Sequence, residues 1–200
     1  AKILPTVAAG STQAQVQAAV DASAPIIADI QDGKAFVNLR AGLRFAEAGG
    51  VIDFTTSTTA YDLQHGEVAA AHALAQALAK GIPVSQLTLS SDGNASLPIF
   101  SSSGQLLGLE VGKVSSLYQS VRSAVMDYQV TLSNAIAAIT SSPADILGLA
   151  HKGRIVTNCD ADIVLINKEN LYIDSVYAKG KLLVKAGKAV VFGTFEINGH

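Results

Sequence analysis

The sequence is poor in cysteine, in charge and in long apolar runs. A single cysteine, Cys159, in 200 residues leaves no internal disulfide, so the expected setting is a reducing, cytoplasmic compartment. Only 15% of the residues are charged and the net charge is −2, with a pI of about 6.1. No basic field is present to draw nucleic acid or anionic lipid, so neither is an expected partner. Disorder pairs low hydrophobicity with high net charge; here 49% of residues are hydrophobic and the mean hydropathy is +0.35. The most apolar long window, Glu67 to Leu78, is broken by His72 and Gln76 and falls far short of the roughly 20 residues a bilayer requires. The opening Ala1-Lys2-Ile3-Leu4-Pro5-Thr6 has one positive charge and a two-residue apolar run, so no signal peptide is expected in it. A soluble chain with a sizeable core is expected, part of whose sparsely charged surface is covered by other chains or by a larger parent.

What is present is an alternation of helical and strand signals. A weak stripe over Ser11 to Val20 predicts a helix behind a serine cap. Phe36, Leu39, Leu43 and Phe45 to Ala46 form a helical face that stops at Gly49-Gly50. Val51 to Thr55 follows as a short strand expected to be buried on both faces. A helix from about Glu67 to Lys80, a Gly81 stop and a second strand, Leu87 to Ser90, complete the rhythm of a parallel sheet. The polar stretch Ser91 to Ser96 reads as a loop, and Val111 to Tyr128 as a helix with Val114, Leu117, Val121, Val125 and Met126 on one side. Shorter helices are expected at about Thr131 to Thr140 and Pro143 to Leu149. From Arg154 to Glu196 the texture is β-rich: Ile163 to Ile166, Leu171 to Ile173, Ser175 to Ala178, Leu182 to Val184 and Ala189 to Phe192, punctuated by Gly180 and Gly187. That spacing predicts antiparallel pairing.

In parallel α/β architectures functional groups gather past the C-terminal ends of strands. Leu89 to Ser96 is the one place where a strand end meets a compact polar cluster. Asp92 there suits a general base or a metal ligand, with a loop or helix cap as the plain alternative. Gly93 beside it would let the backbone approach a ligand closely. Asp53 is a second polar group on the same sheet. His65 and His72, seven apart, would stand about 10 Å apart along one helix, too far to share a metal whose bonds are about 2.1 Å. Asp62 and His65 have a usable spacing, weakened by Gly66. His151 reads as a helix C-terminal residue favoured by the dipole, and Cys159 as a structural thiol with no basic neighbour. Gly108 to Gly112 lacks the lysine and glycine spacing of a phosphate loop.

Leu87-Thr88-Leu89-Ser90-Ser91-Asp92-Gly93-Asn94-Ala95-Ser96 resembles the last barrel strand of the isoaspartyl (β-aspartyl) dipeptidases of the amidohydrolase superfamily. Phe45 to Thr56 (FAEAGGVIDFTT), Thr140 to Gly148 and the tail from Gly153 to Glu196 (GRIVTNCDADIVLI, then VYAKGKLLVKAGKAVVFGTFE) fit the same family. The resemblance implies an α/β fold: a partial (β/α) barrel with units resembling strands 6 to 8 over residues 1–152. A small antiparallel β segment resembling the family's C-terminal sandwich follows over 153–200. It implies a zinc hydrolase that cleaves β-aspartyl dipeptides. On that map Asp92 matches the metal-binding aspartate that shuttles the proton of the attacking hydroxide, and Ser96 a serine that binds substrate.

The family's other metal ligands have no counterpart in these 200 residues. Pro5-Thr6 resembles the approach to a ligand histidine, but Val7 stands in its place, and Gly10 stands where the family has a substrate-binding arginine. Arg40 is not on a matching stretch of backbone. Residues 7–36 match nothing in the family. With Asp92 the only surviving ligand, zinc is not expected to bind with family stoichiometry to this chain alone, and the isolated chain is expected to be inactive. Open sheet edges predict a homo-oligomer, a complementing chain, or a rearranged layer covering the edge. A non-catalytic half-barrel scaffold is the alternative.

Overall fold

The structure is a computed structural model and describes residues 39–64, 67–101 and 103–193. The expected helix at 11–20, the Pro5-Thr6-Val7 and Gly10 positions, the segment 7–36 and His65 lie outside the described residues. The chain divides into two compact units, 1–147 and 148–200.

The described part of the first unit opens with α1, Leu39–Glu47. It ends as its glycines dictate: Gly49 takes φ +93°, and the Gly50 amide reaches back to the Phe45 carbonyl at 3.0 Å, a left-handed stop that satisfies an orphan carbonyl. Gly50 must lack a side chain, because a Cβ there would lie 2.1 Å from the Phe45 ring. Strand β1, Ile52–Thr55, follows, then the short α2, Ala60–Gln64, and α3, Ala70–Ala79, closed by Gly81 at φ +80°. A 3-10 turn, Val84–Gln86, leads into β2, Leu87–Ser90.

Strands β1 and β2 pair in parallel with Ile52 opposite Leu87 and Asp53 opposite Thr88. Residues opposite one another share a face, so Ile52, Phe54, Leu87 and Leu89 line one side and Asp53, Thr55, Thr88 and Ser90 the other. The apolar side is buried against Leu43, Ala46, Leu74, Ala77, Val121 and Ala138. Val51 to Thr55 is therefore not buried on both faces: only Ile52 and Phe54 are fully buried, while Asp53 and Thr55 are half-buried on the polar side.

Beyond β2 lies an element the sequence reading missed. Strands β3, Ser96–Phe100, and β4, Leu106–Val111, form an antiparallel hairpin turned by Gly104 at φ +81°. The expected loop at Ser91 to Ser96 thus ends one residue early, and Val111, expected to begin a helix, is the last residue of a strand. Helix α4 is Ser116–Met126. Its buried side is Val121 and Ala124, flanked by Leu117 and Val125, while Val114 and Met126 are exposed. Helix α5, Leu132–Ala137, is capped by the Thr131 hydroxyl, and α6 spans Ser141–Ile146. The Ala138 carbonyl just past α5 accepts the Leu89 amide of β2 at 3.1 Å. No closed barrel is formed among the described residues; the strands of this unit make two two-stranded sheets.

The second unit is a four-stranded antiparallel sheet in the order β5-β6-β7-β8: Ile163–Ile166, Ile173–Ala178, Lys181–Lys185 and Lys188–Ala189. Leu171 and Tyr172 were expected in a strand but belong to the β5–β6 turn. Leu171 sits at φ 58°, and the Asn167 side chain accepts the Glu169 amide at 2.8 Å.

Candidate functional site

The two parallel strands end side by side, and their polar face runs directly into the loop that carries Asp92. The Thr56 amide donates to the Ser90 carbonyl at 2.7 Å, which prolongs the pairing by one residue. The Thr56 hydroxyl meets the Ser116 hydroxyl of α4 at 2.8 Å. Ser57 donates its hydroxyl to Asp92 Oδ2 at 3.4 Å, so the loop after β1 touches the candidate carboxylate. Asp92 is exposed and holds a left-handed φ of 47°, which is costly without glycine and persists where its surroundings enforce it.

Those surroundings are backbone. The Asp92 carbonyl accepts the Ala95 amide at 3.0 Å; the Asn94 amide donates to the Gly112 carbonyl at 2.9 Å, and the Gly112 amide to the Ala95 carbonyl at 2.8 Å. The hairpin's exit therefore clasps the loop. Gly93 has a packing reason as well: a Cβ there would lie 2.5 Å from Val114 Cγ2. Ser96 is exposed and opens β3 opposite Val111. Asp53 lies upstream on the polar face, accepting the Thr88 hydroxyl at 2.6 Å and the Ser90 hydroxyl as well.

The remaining sequence candidates fall into structural roles. Asp62 accepts the Thr59 amide at 2.8 Å and the Thr59 hydroxyl at 2.6 Å, while the Asp62 amide donates to the Thr59 hydroxyl at 3.3 Å. That reciprocal pattern is a capping box for α2. His72 meets Gln76 at 3.1 Å and stacks on Tyr128 with ring centroids 4.8 Å apart. His151 does not end a helix; α6 stops at Ile146, and His151 Nδ1 meets the Asn158 carbonyl at 3.0 Å across a turn of the second unit. Cys159 is a free thiol whose Sγ faces the Ala150 carbonyl at 3.8 Å. Gly108 to Val111 lies in β4.

Sequence reasoning missed Ser57, Gly112 and Gln86. Gln86 donates to the Ala46 carbonyl at 2.8 Å and the Gly50 carbonyl at 2.7 Å, tying the end of α1 to the start of β2. It missed also the clasp at Lys152, whose ammonium binds Asp160 at 2.7 Å and Asp162. Hydrogen bonds from Lys152 hold both carboxyls below the usual carboxylate range, and the two carboxylates raise Lys152. Only the hairpin had a legible signal, in Ser103-Gly104 ahead of the apolar run from Leu106.

A dinuclear metal site needs several converging ligands. Among the described residues no three His, Cys, Asp or Glu side chains converge to hold an ion. The described residues therefore do not fit the zinc pair that the resemblance implies. No described helix is long and apolar enough to cross a membrane.

The fold has counterparts among known proteins. A β-aspartyl dipeptidase from the thermophilic, keratin-degrading Fervidobacterium islandicum AW-1, solved in complex with β-Asp-Leu, is 32% identical with a TM-score of 0.64 over 78% of this chain and 39% of its own. A second structure from that organism is 29% identical, with a TM-score of 0.61 over 78% of this chain and 37% of its own. An N-acetylglucosamine-6-phosphate deacetylase from Thermotoga maritima, 14% identical with a TM-score of 0.51 over 73% of this chain and 41% of its own, shares the fold alone. The chain thus spans about two-fifths of the length of the dipeptidases it matches. Residues 34–190 match the model of the Amidohydrolase family, and the chain belongs to that family.

Proposed function

We propose that this chain is the C-terminal part of a hydrolase that cleaves small β-aspartyl dipeptides, with Asp92 as its catalytic carboxylate. The observation that carries this reading is the position of Asp92 immediately beyond β2, facing Ser57 from the end of β1, in a chain 32% identical to a β-aspartyl dipeptidase. An amide bond is hydrolysed when water loses a proton as it attacks the carbonyl and the leaving amine gains one. Asp92 takes that proton and passes it to the amine, and Ser96 donates a hydrogen bond to the dipeptide. Zinc enters the proposal from the resemblance alone, and its missing ligands come from beyond the described residues.

The 200 residues by themselves are proposed to be inactive and cytoplasmic, and to meet a second copy or a complementing chain through the open sheet. The lack of converging ligands among the described residues favours a second reading, a non-catalytic half-barrel scaffold. A chimera separates the two: residues 39–192 replace the matching segment of the Fervidobacterium dipeptidase, and zinc-dependent release of leucine from β-Asp-Leu is measured. Release is expected, with a loss of about 10²-fold or more in Asp92→Asn, while the 200-residue protein alone releases none. A folded, zinc-loaded chimera that releases no leucine overturns the dipeptidase reading and leaves the scaffold.

A further inference from the structure

The polar face of β1 and β2 carries a carboxylate that the proposed reaction leaves unused. Asp53 faces Thr88 in the register of the parallel pair and divides its two oxygens between two hydroxyls. Oδ1 accepts from Thr88 at 2.6 Å and Oδ2 accepts from Ser90. Thr88 and Ser90 are two apart, so they stand on one face of β2, and they precede Asp92 by four and two residues.

Asp92 draws on such support. Its φ of 47° lies in the left-handed region, which aspartate visits more readily than most residues with a Cβ but still uncommonly. Gly112 and Ala95 restrain the loop from its far side; on the near side the chain enters from Ser90. Ser90 is held twice, by its hydroxyl on Asp53 and by its carbonyl on the Thr56 amide. Thr56 in turn precedes Ser57, the hydroxyl partner of Asp92. Hydrogen bonds to an ionised acceptor are about twice as strong as neutral ones, and Asp53 is the side-chain restraint on this approach.

We propose that Asp53 is a positioning residue: through Ser90 it fixes the end of β2 so that the Asp92 carboxylate is presented at one angle beside Ser57. The geometric part stands on the contacts just described. Its consequence for hydrolysis rests on the dipeptidase reading.

The test uses the 200-residue protein, Asp53→Leu and Asp53→Asn, read by amide hydrogen exchange and by the ¹³Cγ resonance of Asp92. In Asp53→Leu the Asn94 and Ala95 amides should exchange about tenfold faster, as expected for the loss of a charge-assisted bond, and the Asp92 resonance should move. Asparagine keeps one acceptor and offers a donor to Ser90, so Asp53→Asn should return both signals part of the way. An unmoved Asp92 resonance in folded Asp53→Leu overturns the proposal, whether exchange is unchanged or rises evenly along β1 and β2, which marks a plain register clamp. Failure of asparagine to restore anything overturns the hydrogen-bond route. If Asp53→Leu does not fold, Ser90→Ala is read by the same two signals, and their constancy overturns the proposal. None of these signals depends on turnover, so a failed dipeptidase assay and a failed positioning role are told apart.

Discussion

Gly112 backs directly onto Asp92: a Cβ at Gly112 would come within 2.3 Å of the Asp92 carbonyl oxygen. A backbone oxygen cannot rotate aside as a side chain can, so Gly112→Ala must push the Asp92 loop away or bend β4. Overpacking of this kind costs about 1–3 kcal/mol. At Gly93 the obstacle is Val114, whose exposed side chain has room to turn. Urea unfolding should show Gly112→Ala losing more stability than Gly93→Ala, and equal losses would contradict the assignment of Gly112 as the support of this loop.

Gln86 carries a second prediction. Its amide satisfies two carbonyls at the end of α1, and removing it leaves both without that donor. Gln86→Leu should cost about 1–3 kcal/mol, measured by denaturant midpoint. A loss below about 0.5 kcal/mol, the level of an ordinary surface change, would show that water replaces the amide.

How far the sequence discloses this fold depends on the kind of signal. β2 was legible to the residue, because Leu87 to Ser90 is bounded by a proline-led turn and a polar loop. The glycine stops of α1 and α3 were equally plain. The hairpin carried a turn signal in Ser103-Gly104 but was masked, since its β4 residues Leu107, Leu109 and Val111 are exposed and pass as the lead of an amphipathic helix. The polar face was half legible: Asp53 stood out as a charge in an apolar run, but its bonds to Thr88 and Ser90 depend on a register across 35 and 37 residues. Gln86 was invisible for the same reason, as nothing local marks a side chain whose partners are 36 and 40 residues away.

The Lys152 clasp predicts a pH window for the second unit. Asp160 and Asp162 are depressed by Lys152, so their stabilisation is present above the ordinary carboxylate range and is lost as pH falls through their lowered values. Lys152 is raised, so its stabilisation is full below the ordinary lysine value and is lost as pH rises through the raised one. Lys152→Met should flatten both limbs of a pH–stability profile, and because the groups are solvent-accessible, added salt should do the same in part. Unchanged limbs in Lys152→Met would assign no role to the clasp.

Association is the remaining expectation. Among the described residues β1 pairs with β2 alone, and such edges recruit further strands. Light scattering during size exclusion should give the mass of a dimer or larger species, and a monomer at all concentrations would overturn self-association.

The hydrogen bond between the Leu89 amide and the Ala138 carbonyl bears on how any incoming strand reaches β2. The amide it would pair with is already taken, so pairing there is a displacement in which the end of α5 must first let go. Ala138 is itself fully buried in the core, and releasing it disturbs the packing around Leu89 and Val121. Assembly at that edge is therefore gated by a local opening of the helical layer. Its rate should follow the opening and level off at high partner concentration, where a bare edge would give a rate that keeps rising.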